Sequence, residues 1–175
     1  LQTVERIAGT SAGSMIAFLL ASGLNPKEIQ NLSHQISLLD QLRSSNDPDF
    51  NASFNLSHCK GFFVATAAIK KMNDASILSA LEEIKCFHAN TNRLKIESEL
   101  LQTFKEIDIE NFFFRSIQSP PFKNGLTFKE LEILYHINPQ KFKSLYITGS
   151  DSTNKKACYY SYKNTPDMHC VHAIR

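Results

Sequence analysis

The alternation of apolar and polar positions divides the chain into three stretches. Residues 4–8 are short and partly β-branched, and they run into Gly9-Thr10-Ser11-Ala12-Gly13, a turn of small residues that opens an uncharged apolar run ending at Leu24. This predicts a strand, a sharp turn and a helix over residues 14–22 that is apolar nearly all round and therefore buried. Gly23 follows where a left-handed residue commonly ends a helix. A second helix starts at once: Asn25 can cap it, Pro26 takes the first helical position, and the Glu28 carboxylate can reach back to the cap amide. Ile29, Leu32, Ile36 and Leu39 keep its helical period.

The middle of the chain is less regular. Residues 43–57 are rich in Asn, Asp, Ser and Pro, whose side chains compete with regular backbone bonding, and they read as a loop or lid boundary. Three helices are predicted at residues 61–72, 75–87 and 93–107, with Asp74 able to cap the second. Phe112-Phe113-Phe114 leads into Ser119-Pro120-Pro121, which cannot be helical. Thr127 and Glu130 then form a capping box for a short helix over residues 128–136.

The last third changes period. Residues 145–147 and 157–162 are β-rich, with a loop predicted over residues 149–154, and Thr165-Pro166 signals a final helix running to Arg175. The order of elements predicts an α/β fold in α/β/α layers with a helical insertion.

Length and composition narrow the choice. A chain of 175 residues with 42% hydrophobic, 21% charged and 18 aromatic residues (13 Phe plus 5 Tyr) makes one globular domain. Its net charge is +2 and no basic stripe is concentrated anywhere, so a nucleic-acid partner is not expected. The apolar run from Ala12 to Leu24 is shorter than the ~20 residues that cross a bilayer. Four spread cysteines without a Cys-x-x-Cys pair read as reduced thiols, mostly in the core.

Chemistry concentrates at Gly9-Thr10-Ser11-Ala12-Gly13, a Gly-x-Ser-x-Gly motif with a strand before it and a helix after it. An abrupt strand-to-helix turn forces its apex residue, Ser11, into strained backbone angles and lifts the side chain. Glycines on both sides let strand and helix approach. The helix N-terminus contributes partial positive charge, and the Ala12 amide points where an oxyanion would form on an attacked carbonyl.

This turn, the buried helix and the Gly23-Leu24-Asn25-Pro26 continuation together resemble patatin-like phospholipases. Leu145-Tyr146-Ile147-Thr148-Gly149-Ser150-Asp151, the Tyr-rich strand, and the Thr165–Met168 and Val171–Arg175 segments are similar to that family's later core strands and the helix after them. Leu126-Thr127-Phe128-Lys129-Glu130-Leu131 is similar to a weaker family signature. The resemblance implies one patatin-like domain over residues 1–175, incomplete at both ends. It implies a lipid acyl hydrolase that uses a Ser–Asp dyad and no cofactor or metal, with Ser11 as nucleophile and an acyl-enzyme intermediate. A phospholipid or related lipid ester would be the substrate, met through peripheral contact with a membrane surface. The family's glycine-rich oxyanion loop and its Asp-Gly motif are absent from this chain: no two of its six glycines are adjacent and no Asp-Gly pair occurs. Both belong outside these residues, so the fragment alone is expected to be inactive. Some patatin-like proteins are delivered bacterial effectors that need a host activator.

Rival readings weigh other residues. An inert patatin-like module that binds lipid or protein would leave Ser11 unreactive. A Ser-His-Asp triad would recruit His169 or His172, but both fall at helical spacing inside the predicted final helix. Asp151 is the best placed aspartate, yet a loop aspartate before Ser-Thr-Asn folds onto local amides. His169, Cys170, His172 and Cys158 match no common zinc spacing, and His58-Cys59 lies in a loop-like stretch. Phe62, Phe63, Phe112 to Phe114 and Phe122 are candidates for a lid or membrane-facing edge, and Lys155-Lys156 could favour anionic lipid heads.

Overall fold

The computed structural model describes residues 3–35, 66–104, 125–151 and 153–174. Strand β1 (Arg6–Thr10) leads to helices α1 (Ala12–Ala21) and α2 (Pro26–Gln35). Helices α3 (Thr66–His88), α4 (Arg93–Thr103) and α5 (Phe128–Ile137) follow, then strands β2 (Ser144–Asp151) and β3 (Lys156–Ser161) and the one-turn helix α6 (Cys170–Ala173).

The sheet has the order β1-β2-β3, with β1 parallel to β2 and β2 antiparallel to β3. Side chains alternate across it. Gly9 abuts Gly13, Ser14 and Ala17 of α1, so Ile7, Gly9, Leu145 and Ile147, which share its parity and register, face α1. On the opposite face the Ser144 hydroxyl donates to both carboxylate oxygens of Glu132 on α5, at 2.8 and 2.7 Å. The sheet is therefore covered by α1 on one side and α5 on the other, as the layered α/β expectation required. Phe18, Phe87, Phe128 and Phe142 are fully buried within one continuous core that also takes in Leu145, Ile147 and Ile174.

Local chemistry sets the helix ends. The Leu24 amide bonds the Leu19 carbonyl and the Gly23 amide bonds that of Leu20, a double closure that needs the left-handed conformation Gly23 adopts at φ +84. The Asn25 side chain accepts from the Lys27 and Glu28 amides at 3.0 Å, and Glu28 returns to the Asn25 amide at 2.6 Å. At α5 the Thr127 hydroxyl accepts from the Glu130 amide while the Glu130 carboxylate accepts from the Thr127 amide, completing the expected box.

Four expectations are corrected. Asp74 does not begin a helix: α3 runs unbroken through it for 23 residues, because Ile69, Met72, Asn73, Ser76, Ala80, Ile84 and Phe87 form one buried stripe across the supposed boundary. The helix expected from Pro166 shrinks to Cys170–Ala173. The Met168 and Pro166 carbonyls accept from the Phe128 and Lys129 amides, and the Cys170 amide donates to Leu126, so this segment straps the start of α5. Residues 149–151 extend β2 and pair with Cys158, Ala157 and Lys156, which leaves a shorter turn than the composition predicts. Of the described cysteines only Cys170 is buried, Cys86 being exposed and Cys158 half-buried. Cys59 lies outside the described residues, as do the loop at 43–57, all six phenylalanines weighed as a lid, and residues 36–65 and 105–124 generally. No helix among the described residues is long and apolar enough to cross a membrane.

Candidate active site

β1 delivers the chain to Ser11 at the C-terminal edge of the sheet, and α1 begins one residue later. Ser11 has φ 52 and ψ −131, a conformation that non-glycine residues adopt only at a cost of about 1–3 kcal/mol. Its position is that of a helix N-cap, where a serine hydroxyl ordinarily accepts from an amide of the first turn. Ser11 makes no such side-chain bond, and the residue is exposed. The Ser11 hydroxyl is thus not used to cap the helix it precedes.

The neighbours fix this geometry from the helix side. Ser14 is fully buried, its amide donates to the Ser11 carbonyl at 2.9 Å, and its hydroxyl donates to the same oxygen. A Cβ on Gly9 would lie 2.7 Å from Ser14 Cα and 2.8 Å from Ala17 Cβ, so only glycine lets α1 close onto β1. Gly13 has no such constraint, since a Cβ there would meet nothing within 4 Å, which corrects the expectation of close approach on both sides. Residues 14–22 are buried nearly all round, as expected, with Ile16 alone exposed, at 47%; Ala12 and Gly13, which precede that stretch, are exposed. Ala12 heads the helix, and its amide belongs to the first-turn group that a helix leaves without an intrahelical acceptor.

Thr10 lies across from Thr148 as the last register pair of β1 and β2, and their hydroxyls are hydrogen-bonded. Sequence reasoning did not single out Thr148. Nothing on its own strand marks it out, since Ser144, Tyr146 and Ser150 also bear hydroxyls, and the partner lies far away in the chain.

The other candidates are placed elsewhere or used locally. Asp151 ends β2, on the same edge as Ser11, but its carboxylate accepts from the Thr153 amide at 2.9 Å, the Asn154 amide at 3.1 Å and Asn154 Nδ2 at 2.6 Å. These bonds, led by the Asn154 side chain, hold its pKa below the usual aspartate value. His169 precedes α6, outside the helix expected to contain it, and its Nδ1 is hydrogen-bonded to the Gly125 carbonyl at 2.9 Å, while its ring packs edge-on against His172 at 5.4 Å. Cys170 is buried, and desolvation raises its thiol pKa well above the usual value, which disfavours the thiolate a metal would require. Among the described residues no group of three or more His, Cys, Asp or Glu is placed to hold a metal ion. Two surface grooves lie away from the serine: one of 330 Å³ includes Gly23, Ser79 and Lys141, and one of 540 Å³ includes Phe104, Lys129 and Tyr162.

This architecture is shared with known proteins. In the solved structure of full-length ExoU of Pseudomonas aeruginosa with SpcU, from the type III secretion system, ExoU superposes with a TM-score of 0.60 at 22% identity over 97% of this chain and 31% of that one. A second structure of the type III effector ExoU gives 0.57 at 21% identity, over 98% and 33%. VipD of Legionella pneumophila gives 0.59 at 17% identity, over 99% and 36%. The chain therefore spans about a third of the length of these structural neighbours. No curated protein matches the sequence. The family described as patatin-like phospholipase matches residues 1–175, and this chain belongs to it.

Proposed function

We propose that the protein is a serine acyl hydrolase acting on phospholipids or related lipid esters, with Ser11 as nucleophile. The observation that carries this reading is the conformation of Ser11: an exposed serine at φ 52 on a strand-to-helix turn, its hydroxyl not used to cap the helix that follows. Membership of the patatin-like phospholipase family supports the substrate class. In this reading Ser11 Oγ attacks the ester carbonyl carbon, an aspartate takes the hydroxyl proton, and the developing oxyanion is met by the Ala12 amide at the positive end of α1. The alcohol leaves with a proton, and water then releases the fatty acid from the acyl-enzyme. The dyad aspartate and the remaining oxyanion donors are contributed by parts of the protein outside residues 1–175, which on their own are inactive. Membrane contact is peripheral, and delivery as a secreted effector follows by likeness to the neighbour named as a type III effector.

A second reading, a patatin-like binding module without turnover, has one observation in its favour: the carboxylate of Asp151, on the edge that bears Ser11, is held by Thr153 and Asn154. Intact mass of the full-length protein after a fluorophosphonate probe separates the two. One adduct on the wild type and none on Ser11→Ala supports the hydrolase. A folded wild type that takes no probe leaves the binding module.

A further inference from the structure

We propose that the Thr10–Thr148 hydroxyl pair is a positioning device for Ser11, an inference that rests on the reading of Ser11 as nucleophile. The parallel ladder of β1 and β2 ends at this pair, and the next residue is Ser11 in its strained conformation. From the helix side the Ser11 carbonyl is held by the amide and hydroxyl of Ser14. From the strand side, the hydroxyl bond between Thr10 and Thr148 is the last described link before the turn.

The identity of Thr148 is informative. Leu145 and Ile147 point to α1 and are buried, so Tyr146 and Thr148 occupy the opposite face, where Thr148 is half-buried. A valine would fill the same shape and suit the strand as well. What threonine adds is a hydroxyl, and that hydroxyl meets Thr10, the residue joined to the nucleophile. A backbone held at a sparsely populated φ relaxes unless its surroundings over-determine it. The pair supplies that restraint on the strand side, fixing the direction of the bond that lifts Ser11 Oγ above the sheet edge. Thr10 and Thr148 are therefore positioning residues, acting through Ser11.

The test is the rate of fluorophosphonate capture by the full-length protein, with melting midpoints measured in parallel. Thr148→Val and Thr10→Val are each expected to slow capture about fivefold, the size of one lost hydrogen bond, while Thr148→Ser stays within about twofold of the wild type. The double valine variant is expected to be no slower than either single, because both changes remove the same link. Capture of Thr148→Val at the wild-type rate overturns the proposal. So do additive effects in the double variant, or a slowing that follows a fallen midpoint and is not restored by Thr148→Ser. A wild type that takes no probe overturns the nucleophile reading itself, and is recognised because every variant then behaves alike.

Discussion

The carbonyl oxygen of Gly13 stands 2.6 Å from where a Cβ on Gly9 would lie, nearer than a real Cβ comes to backbone. Backbone on both sides leaves no flexible side chain to give way. Gly9→Ala is therefore expected to lower stability by about 2 kcal/mol or more, as overpacking of a closed contact does. Gly13 opens onto empty space and sits in the first turn of α1, so Gly13→Ala is expected to raise stability by about 0.5–1 kcal/mol through the unfolded state. Urea titration of the two variants checks the contrast, and equal effects would remove this account of the motif.

Ser11 stores strain that glycine would not. At φ 52, ψ −131 the serine occupies a region costly for any residue with a Cβ, so Ser11→Gly is expected to stabilise the fold by about 1 kcal/mol while abolishing probe capture. Ser11→Ala keeps the Cβ, loses capture and gains no such stability. A Ser11→Gly variant less stable than the alanine variant would show that the turn is not strained.

Acid is expected to act on the β2–β3 turn. The Asn154 side chain, the Asn154 amide and the Thr153 amide all favour the ionised carboxylate of Asp151, so its folded pKa lies below the unfolded value. The stabilisation is thus present above the unfolded pKa and is lost as pH falls through the folded one. Carboxyl-carbon NMR titration should find Asp151 below the ordinary aspartate range, with Asn154→Ala moving it upward. An ordinary value in the wild type would contradict the hydrogen-bond pattern of the turn.

Features written in neighbouring residues were readable before the structure. The serine turn, the Asn25 and Thr127 caps and the Gly23 helix end depend on contacts a few residues apart, and the two C-terminal strands announce themselves by β-rich composition. What escaped the sequence was set by packing and pairing that composition does not announce. Asp74 has the chemistry of a cap, but the buried stripe of α3 continues through it. Thr165-Pro166 has the signature of a helix start, yet the Thr165 amide and hydroxyl turn back to the Ser161 carbonyl and the Pro166 carbonyl serves α5. Gly149 looks like loop composition, but its pairing with Cys158 makes it strand. At the site, the Ser11 turn was legible because its chemistry is contiguous, whereas Thr148 became visible only when β2 was laid beside β1.

Thr10 and Thr148 are separated by 138 positions in the chain. Joining them closes most of the sequence into one loop, at an entropic cost of about 3 kcal/mol beyond that of a four-residue turn. During synthesis, β1 and α1 emerge from the ribosome long before the strand that completes them. Until then the turn at Ser11 lacks the β2 pairing described beside it, and the Thr10–Thr148 link cannot form.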